Sequence, residues 1–347
     1  MKDSETKRRA KDPAAAYRPV SLKQLAAHLG LNPATVSVVL NDVPGRSIPQ
    51  TTRDRIKAAA QEMNYHPSLL ARSLRNRRTQ TIGILVPELG DGYHTQVMSG
   101  IGDQLMQAGY FYFTAHHRHQ SKLVEDYTRM FIGRGAQGII AVDTALEHPL
   151  PVPVVAVAGH RTIEGVTNVA LDHARAAELT LTHLYALGHR HIAFMRGPSM
   201  SSDSNARWEG LLAAAEKLGV EMRPELVVGL NRDTSSPELG YPVAQQLAAS
   251  GFTALVAFND ISAIGAIRAL KDLHLNVPGD VSVVGFDDIQ AAAYTLPRLT
   301  TIRQPLVEIG RIAARRLLDR INGAIFPEGD IVVQPELVIR ESTGPCH

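Results

Sequence analysis

From Thr81 onward, short apolar runs alternate with amphipathic stretches, and this alternation limits the fold more than any other feature of the sequence. The runs at 82–86, 110–115, 138–142, 152–158, 192–195, 254–258 and 281–286 have the length and uniform hydrophobicity of strands buried on both faces. Between them, 96–108, 121–134, 174–187, 207–218, 238–250 and 261–273 carry helical periodicity. Strand–helix–strand order predicts doubly wound parallel sheets in an α/β fold. About 260 residues suits two such subdomains, a two-lobed body, better than one.

Ahead of this body the periodicity is purely helical. Leu22, Leu25, Ala26 and Leu29 fall on one helix face, and Gly30 follows as a C-terminal stop. Asn32 is a good N-cap and Pro33 suits the first position of a second helix, 33–41. A third helix starts near Thr51 and shows Ile56, Ala59, Ala60 and Met63 on one side. Two short helices joined by a glycine-containing turn are the helix-turn-helix pattern. The predicted organisation is a disordered basic tail at 1–19, a helix-turn-helix head at 20–67, a short helix and linker at 68–80, the two-lobed body at 81–342 and a tail at 343–347.

Charge separates the same regions. Residues 1–80 carry 15 Lys and Arg against 6 Asp and Glu, a net of +9, whereas the remainder carries 21 against 28, a net of −7. A basic head on an acidic body reads as a nucleic-acid-binding module joined to one with another task. A solvated basic tail is the competing explanation, although Lys23, Arg46, Arg53, Arg55, Lys57, Arg72, Arg75, Arg77 and Arg78 remain when residues 1–19 are set aside. The single cysteine, Cys346, rules out an intramolecular disulfide and a cysteine-based zinc site, which favours the cytoplasm. No stretch has the composition of a signal peptide or a membrane span.

The stretch from Val20 to Asn41, with its Ala34-Thr35-Val36-Ser37 core, resembles the DNA-binding head of the lactose/galactose repressor family of bacterial transcription regulators, as does Asn64-Tyr65-His66-Pro67. In the body, Leu187-Gly188-His189-Arg190-His191-Ile192, Asn259-Asp260, Gly285-Phe286-Asp287-Asp288 and Leu299-Thr300-Thr301-Ile302 are similar to signatures of that family's periplasmic-binding-protein-like sensor. The resemblance spans about residues 20 to 342 and rests on several ordered motifs. It implies a homodimer on a pseudo-palindromic operator, most simply a repressor, switched by a small polar effector such as a sugar, with no cofactor, metal or membrane partner.

The resemblance also assigns residues. Pro33, Ala34 and Val38 fall at base-reading positions, where apolar side chains can meet a thymine methyl but make no bidentate hydrogen bond. Lys23 and DNA shape would then carry part of the specificity. Ser21, Thr35, Ser37 and Asn41 match phosphate-contacting positions, with helix capping as their competing role. Ala71 and Leu74 match the family's minor-groove wedge, with a plain linker as the alternative. In the sensor, Arg207 corresponds to the effector-clamping arginine, Asp287 to an acidic acceptor and Asn259 to a polar neighbour, while Asp260 suits a helix cap equally well. Tyr93 and His94 stand where aromatic stacking residues are common. His94 and Ala158 depart from the habits of sugar-binding members.

Other residues read as structural. His116, His117 and His119 are the exception: they sit on a strand end, where alternation sends the first two to opposite faces and disfavours joint metal ligation, so a cleft-lining role for one of them is preferred to a metal. His189 and His191 follow a glycine stop, and Arg311, Arg315, Arg316 and Arg320 form a solvated helix face. No phosphate loop, zinc-protease pair or nucleophile elbow is present, which leaves an enzyme without a catalytic constellation. A solute receptor would account for the body and leave the head unexplained.

Overall fold

A computed structural model describes residues 20–43, 45–66, 78–90, 92–159, 163–198, 201–230, 239–326 and 329–347. The chain divides into two compact units, 1–79 and 80–347.

Capping residues punctuate the first unit as the sequence predicts. Ser21 and Gln24 form a reciprocal capping box at the start of α1 (Leu22–Leu29). Gly30, at φ +63°, turns the chain so that the Leu31 N–H reaches the Ala26 carbonyl. Asn32 Oδ1 accepts the Ala34 N–H at 2.8 Å and opens α2 (Pro33–Leu40) with Pro33 at its first position. A third helix, α3 (Gln50–Glu62), closes the bundle over a core of Leu25, Ala26, Val36, Val39, Ile56, Ala59 and Ala60. Arg55 on α3 donates to the Leu29 carbonyl at 2.9 Å, so a cation meets the C-terminal end of α1.

In the second unit, lobe 1 holds β1 (Thr81–Val86), β2 (Phe111–His116), β3 (Gly138–Val142), β4 (Val154–Val157) and β5 (Val166–Leu171), with α4 (Tyr93–Gln107) and α5 (Ser121–Gly133) on its faces. Lobe 2 holds β6 (Ile192–Arg196), β7 (Val227–Gly229), β8 (Ala254–Val256), β9 (Ser282–Asp287) and β10 (Thr300–Arg303), with α6 (His173–Ala186), α7 (Ser202–Leu218), α8 (Gly240–Leu247) and α9 (Asp260–Asp272). The chain then returns to lobe 1 as α10 (Leu306–Ile321) and β11 (Ile331–Val333) and ends in lobe 2 with β12 (Glu336–Val338). Both sheets have six strands, in the orders β11-β5-β4-β3-β1-β2 and β12-β10-β9-β8-β6-β7. All neighbouring pairs are parallel except the edge strand β12, which runs antiparallel to β10.

Three crossings join the lobes, at 171–173, 303–306 and 333–336. The first and third are tied together by the Asp172 N–H, which donates to the Val333 carbonyl at 2.9 Å, and the Gln304 side chain of the second reaches Asp287 at the end of β9. The returning α10 lies close against α4 because both carry glycine at the contact. A Cβ at Gly100 would come within 1.9 Å of the Val307 oxygen, and one at Gly310 within 2.1 Å of the Val97 oxygen.

Three expectations need correction. The row Arg311, Arg315, Arg316 and Arg320 is not simply solvated: Arg311 pairs with Asp103, Arg316 stacks on Phe326 and Arg320 donates to the Gly165 carbonyl, leaving Arg315 as the exposed member. Residues 343–347 are not a loose tail, since Thr343 bonds His183, Gly344 bonds His189 and Ser282, and the Cys346 N–H donates to the Leu187 carbonyl. Several short strands, β5, β7, β10, β11 and β12, carried too little apolar contrast to be read in advance.

Candidate effector cleft and DNA-reading helix

The strongest cluster of buried charge lies where the strand ends of lobe 2 meet the first turns of α6 and α7. Arg207 is 9% exposed and its guanidinium donates to Asp203 Oδ2 at 2.8 Å and to the Phe258 carbonyl at 2.8 Å, with Asp287 Oδ1 at 3.5 Å. Asp203 stands four residues earlier on the same helix, the spacing at which side chains meet. Its other oxygen lies 3.3 Å from His173 Nε2, at the start of α6. The rings of Phe258 and Phe286 carry the guanidinium at 4.7 and 4.0 Å, so the cation is held by π faces as well as carboxylates. Burial opposes the charge on Arg207, but Asp203 and Asp287 outweigh it and hold its pKa above the ordinary arginine value.

Asp287 ends β9 at φ +114°, a backbone conformation that is strained for any residue with a Cβ. That turn aims its carboxyl at Arg207 and at Gln304, whose Nε2 donates at 2.7 Å from the second crossing. Burial pushes the Asp287 carboxyl up to about 6, because Arg207 and Gln304 only partly offset the lost hydration. A cavity of about 30 Å³ beside Arg207, lined by lobe 2 residues including His173, Trp208, Phe258 and Phe286, has room for one or two waters.

Lobe 1 contributes the opposite wall. Tyr93 and His94 occupy the first turn of α4 behind Gly92, where an added Cβ would fall 2.7 Å from Ile289 of lobe 2, so the two lobes touch at this point. Their rings meet edge to face at 5.1 Å. Burial raises the Tyr93 phenol well above its ordinary value, and Asp203, Asp143 and Asp287 add to the effect, placing the phenol among charges from both lobes. His94 Nε2 lies 3.8 Å from Asp143, the residue that follows β3. Among the described residues that buried nitrogen has no hydrogen-bond partner, and neither has Arg207 Nε.

Tyr93, His94, Arg207 and Asp287 therefore come together, and the side-chain oxygen of Asn259 is engaged in a helix cap. Its Oδ1 accepts the Ser262 N–H at 2.8 Å in a capping box at the start of α9. Asp260, the residue expected to cap, is fully buried and instead braces the loop after β9 by accepting the Ile289 N–H and the Thr301 hydroxyl. Burial and the nearby Asp287 raise its pKa well above the usual carboxylate range. The sequence reading missed Asp203, His173, Asp143 and Gln304. An i, i+4 partner search would have found Asp203, and Asp143 is the first polar residue after an apolar run. Gln304 and His173 are brought in by the crossings and leave no local signal.

His117 and His189 are structural. His117 Nδ1 accepts the His119 N–H, so its Nε2–H donates to Thr144 Oγ1 at 2.8 Å, and that hydroxyl donates to the Val142 carbonyl. His116 is exposed. His189 bonds Thr253, Ser282 and the Gly344 carbonyl. Among the described residues no group of three or more His, Cys, Asp or Glu could hold a metal ion, and no helix is long and apolar enough to cross a membrane.

In the head, Lys23, Pro33 and Ala34 are exposed, and Thr35 and Ser37 are half-buried. Val38 departs from its expected place, since only 9% of it is exposed where a base-reading residue needs an open face. Ser21 Oγ accepts the Gln24 N–H and Asn41 Nδ2 donates to the Ser37 carbonyl at 2.7 Å, so both take part in helix-end hydrogen bonds. Ala71 and Leu74 lie outside the described residues.

The sequence profile of the bacterial regulatory proteins of the lacI family matches residues 21–68, and that of the periplasmic binding protein-like domain matches 181–343. The HTH-type transcriptional regulator reg1 of Streptomyces lividans is 35% identical over 93% of this chain and 96% of its own length. The HTH-type transcriptional repressor PurR of Erwinia tasmaniensis is 30% identical over 93% and 96%. Among solved structures, the lac repressor dimer bound to operator and the anti-inducer ONPF aligns with a TM-score of 0.84 at 26% identity, covering 94% of this chain and all of that one. A complex of the transcriptional regulator CelR with cellobiose aligns at 0.69 and 28% identity, covering 94% and 100%. With a capped helix-turn-helix head, a two-lobed sensor and relatives that match along nearly the whole chain, the protein belongs to the LacI family of transcription regulators.

Proposed function

We propose that the chain is a repressor that binds a pseudo-palindromic operator as a homodimer and is switched by a small polar effector held between Arg207 and Asp287 of lobe 2 and Tyr93 and His94 of lobe 1. The observation that carries this reading is the interlocked Arg207–Asp203–Asp287 cluster facing Tyr93 across the cleft. Clustered buried charge of this kind is costly and is retained where it binds something. Relatives bound to operator and to cellobiose support both halves of the reading.

Dimerisation has its own support. Phe111 and Phe113 stack edge to face on the edge strand β2 and are 60% and 37% exposed, with Met106 near the end of α4 71% exposed. Tyr294 and Leu296 add an exposed apolar pair on lobe 2. Such surface asks for cover, and a second copy would supply it. Ser21, Lys23, Pro33, Ala34, Thr35, Ser37 and Asn41 would lie along the major groove and its phosphates, with Ala71 and Leu74 in the minor groove. Operator binding sets the cytoplasm as the working compartment.

The switch is a population shift. The effector has to favour the lobe arrangement that does not support paired hinge helices, or for a co-repressor the one that does, because a ligand binding both arrangements equally moves nothing. Footprinting on selected DNA should show two half-sites related by a dyad, with affinity falling steeply as salt rises. Equal protection of unrelated duplexes would overturn the proposal.

A further inference from the structure

We infer that lobe 1 holds a second small-molecule site, separate from the cleft, that takes a neutral single-ring phenol. Between α5 and the loop that follows β3 lies a cavity of about 180 Å³, which shares no lining residue with the cleft described above. Val124, Leu146 and Leu150 give it an apolar wall. Pockets for drug-sized ligands usually exceed about 300 Å³, whereas an apolar cavity of roughly 150 Å³ admits benzene. The volume therefore fits one six-membered ring with a single small substituent.

Thr128 decides the chemistry of that substituent. It lines the cavity, is 5% exposed, and its hydroxyl has no hydrogen-bond partner among the described residues. A buried helical threonine commonly donates to the carbonyl four residues earlier, as Thr180 of α6 does to Ala176 at 2.9 Å. Thr128 makes no such bond to Val124. Its hydroxyl and methyl share one carbon, and a helical threonine populates two χ1 wells, so a single rotation presents the hydroxyl to the cavity. An unpartnered buried hydroxyl is costly, and a ligand hydroxyl that bonds it removes the cost. Water would meet the hydroxyl and leave the apolar wall wetted, which favours a ligand with both an apolar ring and one polar atom. The surroundings argue against charge on the ligand. Glu125 and Glu147 line the cavity from exposed positions, and Arg129 is already paired with Asp126, so a benzoate would add an anion to this wall. An ammonium at the depth of Thr128 would give up its hydration for a neutral partner.

The test uses the full-length protein and follows the fluorine NMR line of 4-fluorophenol, displaced in turn by phenol, toluene and benzoate up to about 5 mM, a range that captures millimolar binders. One saturable site is expected, with phenol and toluene competing for it and benzoate not. Thr128→Val keeps the shape and removes the hydroxyl, so it should fold with a melting temperature no lower than wild type and shift the phenol-to-toluene affinity ratio at least about threefold toward toluene. Ala145 is exposed on the wall loop, and Ala145→Trp should fill the cavity and weaken phenol at least about tenfold while the circular dichroism spectrum stays native. Absence of saturable phenol binding, a benzoate that binds tighter than phenol, or a ratio unmoved by Thr128→Val overturns the inference. Phenol binding that Ala145→Trp leaves intact overturns it as well, since the ligand would then lie elsewhere.

Discussion

The second helix of the head and the cleft of the sensor stand at opposite extremes of polarity. On α2 the outward residues are Pro33 and Ala34, with Thr35 and Ser37 half-buried and no long polar side chain between Pro33 and Leu40. In the cleft, Arg207, Asp203, Asp287, His94 and His173 are all buried, and among the described residues His94 Nε2 and Arg207 Nε find no hydrogen bond. The head can distinguish partners through shape, methyl contacts and exposed cations such as Lys23, a mode that tolerates variation. Buried charge does not tolerate variation, since a wrong ligand leaves a desolvated ion unpaired. On the proposed function, selectivity is therefore concentrated in the sensor.

The sharpest way to break that contrast is Arg207→Ala. Removing the guanidinium strands Asp203 and Asp287 in a buried site, which costs about 3–5 kcal/mol in comparable cases. Trp208, the sole tryptophan, packs against Phe194 in lobe 2 and makes its fluorescence a local probe of that loss. The effector response should vanish while the variant still binds selected DNA below its lowered melting point, because the head is a separate compact unit. Loss of DNA binding at a temperature where lobe 2 is folded would show that the cluster also holds the DNA-binding state.

How much of this was legible in advance follows the range of the forces involved. The caps at Ser21 and Asn32, the Gly30 stop and the central strands came directly from the sequence, because each is set by residues within a turn or by an unbroken apolar run. The cleft was half legible. Arg207 and Asp287 were found through family motifs, but Gln304 and His173 reach the site on segments that cross between the lobes. Which of Asn259 and Asp260 caps the helix was hidden because both residue types cap equally well. Only the tertiary position of Asp260, under the Ile289 N–H and Thr301, decides between them.

A second test concerns the cost of keeping Asp287 ionised. Its pKa is raised from 3.8 to about 6, so between those values the folded state holds a proton that the unfolded chain releases, and stability falls as pH rises through that window. Above pH 6 the full penalty applies, roughly 3 kcal/mol for a shift of about two units. Asp260 acts in the same direction. Asp287→Asn should match wild type near pH 4 and exceed it by up to about 3 kcal/mol at pH 8 in denaturation followed at Trp208. Wild type more stable than the variant at pH 8 would mean that Arg207 more than compensates the buried carboxylate.

The smallest expected effect sharpens the comparison from the side of the head. Ala34 is exposed in the first turn of α2, and its backbone N–H, not its side chain, serves the Asn32 cap. Ala34→Gln therefore leaves the cap in place and costs only a few tenths of a kcal/mol in helix propensity. A glutamine there can reach adenine N6 and N7 as a bidentate partner, a contact worth about 1–3 kcal/mol against the wrong base. In a selection from random duplexes, the variant should acquire a preference for adenine at one position in each half-site, where wild type shows a weaker preference governed by thymine methyls or none. The salt dependence should stay the same, because no phosphate contact is added or removed. An unchanged preference would place residue 34 away from the base edges and shift the reading of DNA by this head to Lys23 and the deformability of the duplex.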